Sequence, residues 1–350
     1  LARRWNSGSS TTVCKVVMHA IYTPLTHRSM TYAQASLPRL DRPHVQQAVR
    51  IAEPSPIALV GLEILTEADV ISRKSAMIFA ALGLSLGGCT AVISQASFYP
   101  SASLAPPDAV LKVPDGYAAT DTLLPLGDLG AVRTVRLDNP ASETAFIYSA
   151  GNGGFVDSEG TSRMAARLAE VTGADIILYD YPGRGGTTLP PTIEAAAAFG
   201  PAMIDRLKSQ GWIGSGPVYA YGLSFGGAMT ASLAQSGGFA GLIIEGSAAD
   251  YQAVGRDFVP GVAKPFVKVR LDPALGAFDY QGYVVAARAP VLLLSGTKDK
   301  VIRPARMREF QQALEASGTK VTFAPVPVSH GGALEAAEGR AALAAFIGAR

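Results

Sequence analysis

Between residue 130 and the C-terminus, hydrophobic positions switch repeatedly between two patterns. Short, nearly continuous apolar runs with turn residues around them predict buried strands: Thr144–Ser149 (TAFIYS), Asp175–Tyr179 (DIILY), Val218–Tyr221, Gly241–Glu245 (GLIIE), Val291–Leu294 (VLLL) and Val321–Pro325. Between them apolar residues recur at helical spacing. Ser162–Val171 carries Met164, Leu168 and Val171, and Thr192–Gln210 carries Ile193, Ala197, Ile204 and Leu207. Further helices are predicted over Phe225–Gln235, Pro304–Ala316 and Gly332–Ile347. Strands without polar alternation are covered on both faces, so the pattern predicts an α/β domain with a mostly parallel sheet flanked by helices. The alternation breaks once. Ala248–Ala289, about 40 residues, is too long for a plain loop and predicts a small inserted cap.

Upstream the pattern is different. Residues 1–69 hold scattered Pro and Arg and no sustained period of 2 or 3.6. They read either as a mobile N-terminal extension or as an over-long reading frame. Ser72-Arg73-Lys74-Ser75, the apolar run Ala76–Gly88 and then Cys89 follow the order of a secretory leader: basic, apolar, small. The run is shorter than the ~20 apolar residues a membrane span needs. Leu86-Gly87-Gly88-Cys89 resembles the bacterial lipobox, whose Cys is diacylated and becomes the new N-terminus. Residues 70–88 are therefore expected to be a lipoprotein-type signal peptide. Residues 89–115, rich in Ser, Ala and Pro, read as a tether, and 116–350 as the domain with its cap insertion at 248–289. The expected location is the cell envelope, with a lipid on Cys89 as the membrane contact; without use of the leader the chain would be cytoplasmic.

Composition narrows the function classes. Hydrophobic residues make up 48% and charged residues 17%, which is globular rather than disordered. The formal net charge is +2, and seven basic against five acidic residues over 1–69 account for all of it. The remainder is balanced, without the basic footprint that nucleic-acid binding requires. Cys14 and Cys89 both precede the predicted domain, so disulfides do not hold it together. Among His19, His27, His44 and His330, only His330 lies beyond residue 70. No His/Cys cluster has zinc spacing, and no metal or cofactor is expected.

Gly222-Leu223-Ser224-Phe225-Gly226-Gly227 is a G-x-S-x-G sequence, but so is Gly83-Leu84-Ser85-Leu86-Gly87 in the apolar leader. Context separates them. Ser224 follows a predicted strand and precedes a helix of small residues, the strand–turn–helix setting of a nucleophile elbow. Ser is also a preferred helix N-cap, which is the plain alternative. A serine hydroxyl needs a base, and His330, in the turn before the last helix, is the one imidazole in the domain. The base needs a carboxylate to orient it. Asp299 follows strand VLLL in Gly296-Thr297-Lys298-Asp299-Lys300-Val301, where it could equally serve a turn; Glu245, at the end of the preceding strand, is the rival. Oxyanion donors are expected from the backbone N–H of Phe225 and from the loop Ala150-Gly151-Asn152-Gly153-Gly154, in particular Asn152. That loop lacks the Lys-Ser/Thr pair of a phosphate-binding loop.

Taken together, Ser-Ala-Gly-Asn-Gly-Gly (149–154), Asp180-Tyr181-Pro182-Gly183-Arg184-Gly185-Gly186, the Ser224 elbow, Ser-Gly-Thr-Lys-Asp-Lys-Val (295–301) and His330-Gly331-Gly332 resemble the α/β-hydrolase superfamily. The branch they are most similar to contains serine aminopeptidase-like and depalmitoylating thioesterase-like hydrolases. The likeness spans about residues 130–350. It departs at Ala150, where the family often has His. The resemblance implies the α/β-hydrolase fold and a serine hydrolase acting on an ester, thioester or amide of a small or acylated substrate. Ser224 would be nucleophile, His330 base and Asp299 the acid behind it. Families opening epoxides or removing halogens usually carry Asp at the nucleophile position. The alternative from another class is a non-catalytic binding lipoprotein on the same scaffold.

Overall fold

The structure is a computed structural model that describes residues 89–97, 109–214 and 216–349. The expectations for 1–69 and 70–88 lie outside these residues. The strands are β1 (Cys89–Ile93), β2 (Ala118–Pro125), β3 (Ala131–Asp138), β4 (Ala145–Ser149), β5 (Asp175–Tyr179), β6 (Val218–Leu223), β7 (Gly241–Glu245), β8 (Val267–Leu271), β9 (Val291–Gly296) and β10 (Val321–Val326). The helices are α1 (Glu159–Thr172), α2 (Ile193–Ser209), α3 (Phe225–Ala234), α4 (Tyr251–Asp257), α5 (Pro273–Ala277), α6 (Tyr280–Ala286), α7 (Pro304–Ala316) and α8 (Ala337–Gly348).

Eight strands form the main sheet in the order β10-β9-β7-β6-β4-β5-β3-β2. Only β3 runs antiparallel to its neighbours, β2 and β5; the other pairings are parallel. Every position of β4, β5, β7 and β9 is buried, as continuous apolar runs require. The edge strands β2 and β10 are largely open, and their mixed sequences follow from that. The pattern reading did not anticipate β2 and β3, because neither carries a continuous apolar run.

Local chemistry sets the helix ends. Ser158 caps α1 by accepting from Thr161 N–H, and Thr192 caps α2 by accepting from Ala195 N–H. Pro201 sits inside α2 and has no N–H for the Ala197 carbonyl. Ser232 Oγ and Gln235 Nε2, both on the α3 side, donate to that carbonyl at 3.2 and 3.1 Å. Gly200 allows the approach, since a Cβ there would stand 2.4 Å from the Ser232 main chain. The last helix is shorter than the apolar pattern suggests. Ala333–Glu335 forms a separate 3-10 turn and α8 begins at Ala337.

The cap region contains α4, β8, α5 and α6, and Cys89–Ile93, at the start of the segment 89–115 expected to be a tether, forms a strand against it. β1 pairs in parallel with β8, from Cys89 opposite Val267 to Ile93 opposite Leu271. Ile93 is buried over Gly255, where a Cβ would stand 2.1 Å from Ile93 Cδ1. The partner strand lies far along the chain, so local composition carried no trace of the pairing. Of the cap aromatics, Tyr251, Phe278 and Tyr280 pack into the core, whereas Phe258 and Phe266 face solvent.

Arg288, just past α6, is one of two non-glycine residues with positive φ among those described, at 52°. It occupies the left-handed position that usually follows a helix, where Gly is favoured. Arg288→Gly is expected to raise stability by about 0.5–1 kcal/mol, read as a higher denaturant midpoint with unchanged slope.

Candidate active site

The carboxyl ends of β4, β6, β7 and β9 meet around Ser224. Ser224 has φ 56° and ψ −123°, a backbone geometry that costs a non-glycine residue of order 1–3 kcal/mol. Its surroundings leave it no alternative. A Cβ on Gly222 would stand 2.3 Å from Gly226 O, and one on Gly226 would stand 2.0 Å from Ser149 O. A Cβ on Gly227 would stand 2.3 Å from Tyr280 Oη. The glycines of the motif are thus demanded by the packing of the turn against β4 and the cap. Ser224 N–H donates to the Glu245 main-chain carbonyl at 2.8 Å, and Ser224 makes no side-chain cap bond to α3.

His330 and Asp299 meet directly, with His330 Nδ1 2.8 Å from Asp299 Oδ2. Asp299 is a built acceptor: its Oδ1 takes the Val301 and Ile302 N–H groups at 2.8 and 2.9 Å. Its side chain is 1% exposed, and that of His330 12%. The pair lies over Gly246, where a Cβ would stand 3.1 Å from His330 Nδ1 and 3.2 Å from Asp299 Oδ2. Gly246 adjoins Glu245, whose carbonyl holds Ser224, so all three residues converge on one strand end. No hydrogen bond joins Ser224 Oγ to His330 in this conformation; such contacts often close only around substrate.

Glu245, the rival carboxylate, faces elsewhere. Its Oε2 accepts from Tyr221 Oη at 2.6 Å and its Oε1 from Ala333 N–H at 2.7 Å. It thereby ties the segment after His330 to β6 and β7, a role the sequence did not signal. Burial pushes the Glu245 carboxyl up, against the lowering effect of those two donors, and burial likewise pushes the Tyr221 hydroxyl up. A raised folded-state value means stability that is full below the unfolded carboxyl range, near about 4.3, and is lost as pH rises through the folded value. Glu245→Gln can keep both contacts without titrating. Its stability relative to the parent is expected to improve as pH rises above that range, measured as denaturant midpoints across pH.

The oxyanion candidates flank the same serine. Phe225 is the first residue of α3. Asn152 follows Gly151, where a Cβ would stand 3.8 Å from Ser224 Cβ. Asn152 Nδ2 reaches back to Ser97 O at 3.4 Å. Three neighbours on the segment after β5 grip this loop: Tyr181 Oη donates to Ala150 O, Asp180 Oδ1 accepts Val156 N–H at 2.8 Å, and Arg184 donates to Gly154 O at 3.0 Å. Asp180 is fully buried, with Oδ2 3.5 Å from Arg133, and burial pushes its carboxyl up. Asp157 and Asp121 bind the same Arg133 at 2.5 and 2.7 Å. These bracing roles were visible in the sequence only as an unexplained motif. Cys89, the candidate lipid site, begins β1, away in sequence from all these residues. Among the described residues no group of His, Cys, Asp and Glu is arranged to hold a metal ion.

No protein-family model matches the chain, and no curated protein does. Solved structures do. The esterase Pf2001 of Pyrococcus furiosus, in three crystal forms, superposes with a TM-score of 0.54 at 14–15% identity. The match covers 67–72% of this chain and 91–99% of that one. At such identity the likeness speaks for the fold.

Proposed function

We propose that this chain, which has the α/β-hydrolase fold, is a serine hydrolase that cleaves an ester, thioester or amide through an acyl-enzyme. The observation that carries the reading is the strained Ser224 turn beside the buried Asp299–His330 pair. A carboxylate already accepting two N–H groups accepts the Nδ1 proton as well, which leaves Nε2 free to act as base. Ser224 Oγ attacks the acyl carbonyl carbon while its proton passes to His330 Nε2. The carbonyl oxygen, now negative, takes the Phe225 and Asn152 N–H groups. The bond to the leaving group then breaks and the leaving group takes the Nε2 proton. Water, deprotonated by the same nitrogen, attacks the acyl-enzyme and returns Ser224 and a free acid. The Pyrococcus protein that shares the fold is an esterase, which supports ester cleavage as the reaction type.

Labelling with a fluorophosphonate tests the assignment, followed by an acyl-chain series of model esters and thioesters. One label on the Ser224 peptide is expected, absent after Ser224→Ala, with hydrolysis lost in parallel. A folded protein with no label and no hydrolysis across the series would favour a binding scaffold instead.

The same reading places the enzyme in the cell envelope, with Cys89 as its acylated N-terminus. The support is the basic–apolar–small order ending in Leu86-Gly87-Gly88-Cys89. Mass spectrometry of membrane-extracted protein should find Cys89 first in the mature chain and carrying diacylglycerol. An N-terminus upstream of residue 70 with a free thiol at Cys89 would overturn it.

A further inference from the structure

We propose that the outer face of the two-stranded cap sheet, with the loop leading into it, docks on an anionic lipid surface. Phe258, Val262 and Phe266 are 47%, 87% and 48% exposed, on one short segment of the cap. In β8 the burial alternates, so Val269 points inward while Lys268 and Arg270 point to solvent. Phe266 shares the parity of Lys268 and Arg270 and so the same face. The parallel register sets Val92, 50% exposed, beside Arg270. Large apolar groups and cations are thus interleaved on one surface.

The charges select the occupant. Arg256, Lys264, Lys268 and Arg270 make no salt bridge among the described residues. The one acid in this stretch, Asp257, is engaged by Arg306 at 2.8 Å and Arg303 at 3.8 Å. Lysines are depleted in protein–protein interfaces, and a nucleic acid would have no use for Val262 and Phe266. A bilayer rich in anionic headgroups uses both: the apolar groups enter the acyl boundary while the cations stay among the phosphates. Position gives a second argument, which rests on the lipid-anchor reading. Cys89 begins β1 opposite Val267, so Val92 lies about 10 Å along the strand from it, at ~3.3 Å per residue. An acylated Cys89 would hold this strand, and Val92 and Arg270 with it, within about 10 Å of the membrane surface.

The test uses the full chain with Cys89→Ser, which cannot be acylated, and phosphatidylcholine vesicles with or without phosphatidylglycerol. Partition should be about tenfold or more stronger with phosphatidylglycerol and should weaken with added salt. In the same background, Lys268→Glu with Arg270→Glu should abolish that preference. Val262→Asp with Phe266→Ser should lower partition about tenfold or more. The leader is common to all variants, so differences among them report the cap face alone. Because the substituted side chains are exposed, thermal unfolding should be unchanged. Variants that partition like their parent overturn the proposal, as does a face whose substitution instead dissociates a dimer. Acylation is read separately, from the mass of Cys89 in the natural chain. A lipidated Cys89 with patch-independent binding sinks this surface and leaves the anchor intact. Patch-dependent binding with an unmodified Cys89 does the opposite.

Discussion

Ser224→Ala and His330→Ala are each expected to lower turnover of a short-chain aryl ester by about 10⁵–10⁶-fold, and the double variant by hardly more. In the proposed mechanism the two side chains act in one step. Without the hydroxyl there is nothing for the imidazole to deprotonate, and without the imidazole the hydroxyl is a weak nucleophile. His330 is the one histidine beyond residue 70, so among the described residues no neighbouring imidazole can take its place. Residual catalysis, roughly 10³-fold over water, should persist through the N–H groups of Phe225 and Asn152. Ser85→Ala, in the other G-x-S-x-G sequence, should leave turnover unchanged. The measurement is kcat/KM for the single variants and the double. Losses that multiply in the double variant, or near-full activity of Ser224→Ala, would show that the two residues are not a unit.

Asp299→Asn is expected to lower kcat by about 10³–10⁴-fold with little change in stability. The contacts of Asp299 dictate how. An Asn side-chain oxygen would keep the Val301 and Ile302 N–H groups that Oδ1 now accepts at 2.8 and 2.9 Å. Its amide nitrogen must then face His330 Nδ1. A donor there needs Nδ1 as acceptor, which moves the ring proton to Nε2, the nitrogen that has to receive the serine proton. Glu245→Gln should cost less than about tenfold, because Glu245 touches Tyr221 and Ala333 rather than the imidazole. If Glu245→Gln proves the more damaging of the two, the carboxylate has been misassigned.

Much of this candidate site is legible along the chain because the proposed chemistry needs particular residues at strand ends. The end of an apolar run can be read locally. Ser224 after Val218–Tyr221, Asp299 after Val291–Leu294 and His330 after Val321–Pro325 each follow such a run. The choice between Asp299 and Glu245 was not local. Both end buried strands, and which carboxylate meets the imidazole depends on the path of the loops. Two N–H groups hold Asp299 in place, while Ala333 N–H and Tyr221 Oη engage the Glu245 carboxylate.

The sequence by itself determined the alternation of strands and helices, and it marked the long 248–289 segment and the glycine-flanked turn at Ser224. These follow from hydrophobic period, turn residues and glycine spacing, which act over a few residues. Tertiary structure alone decided the rest. It paired Cys89–Ile93 with Val267–Leu271, placed the antiparallel β2 and β3 at the sheet edge, and set Tyr181, Asp180 and Arg184 to grip the loop at Ala150–Val156. The physical reason is range. A strand's partner and a buried carboxyl's donors are chosen by what the folded chain brings within ~3 Å, and no local pattern encodes a neighbour tens of residues or more away.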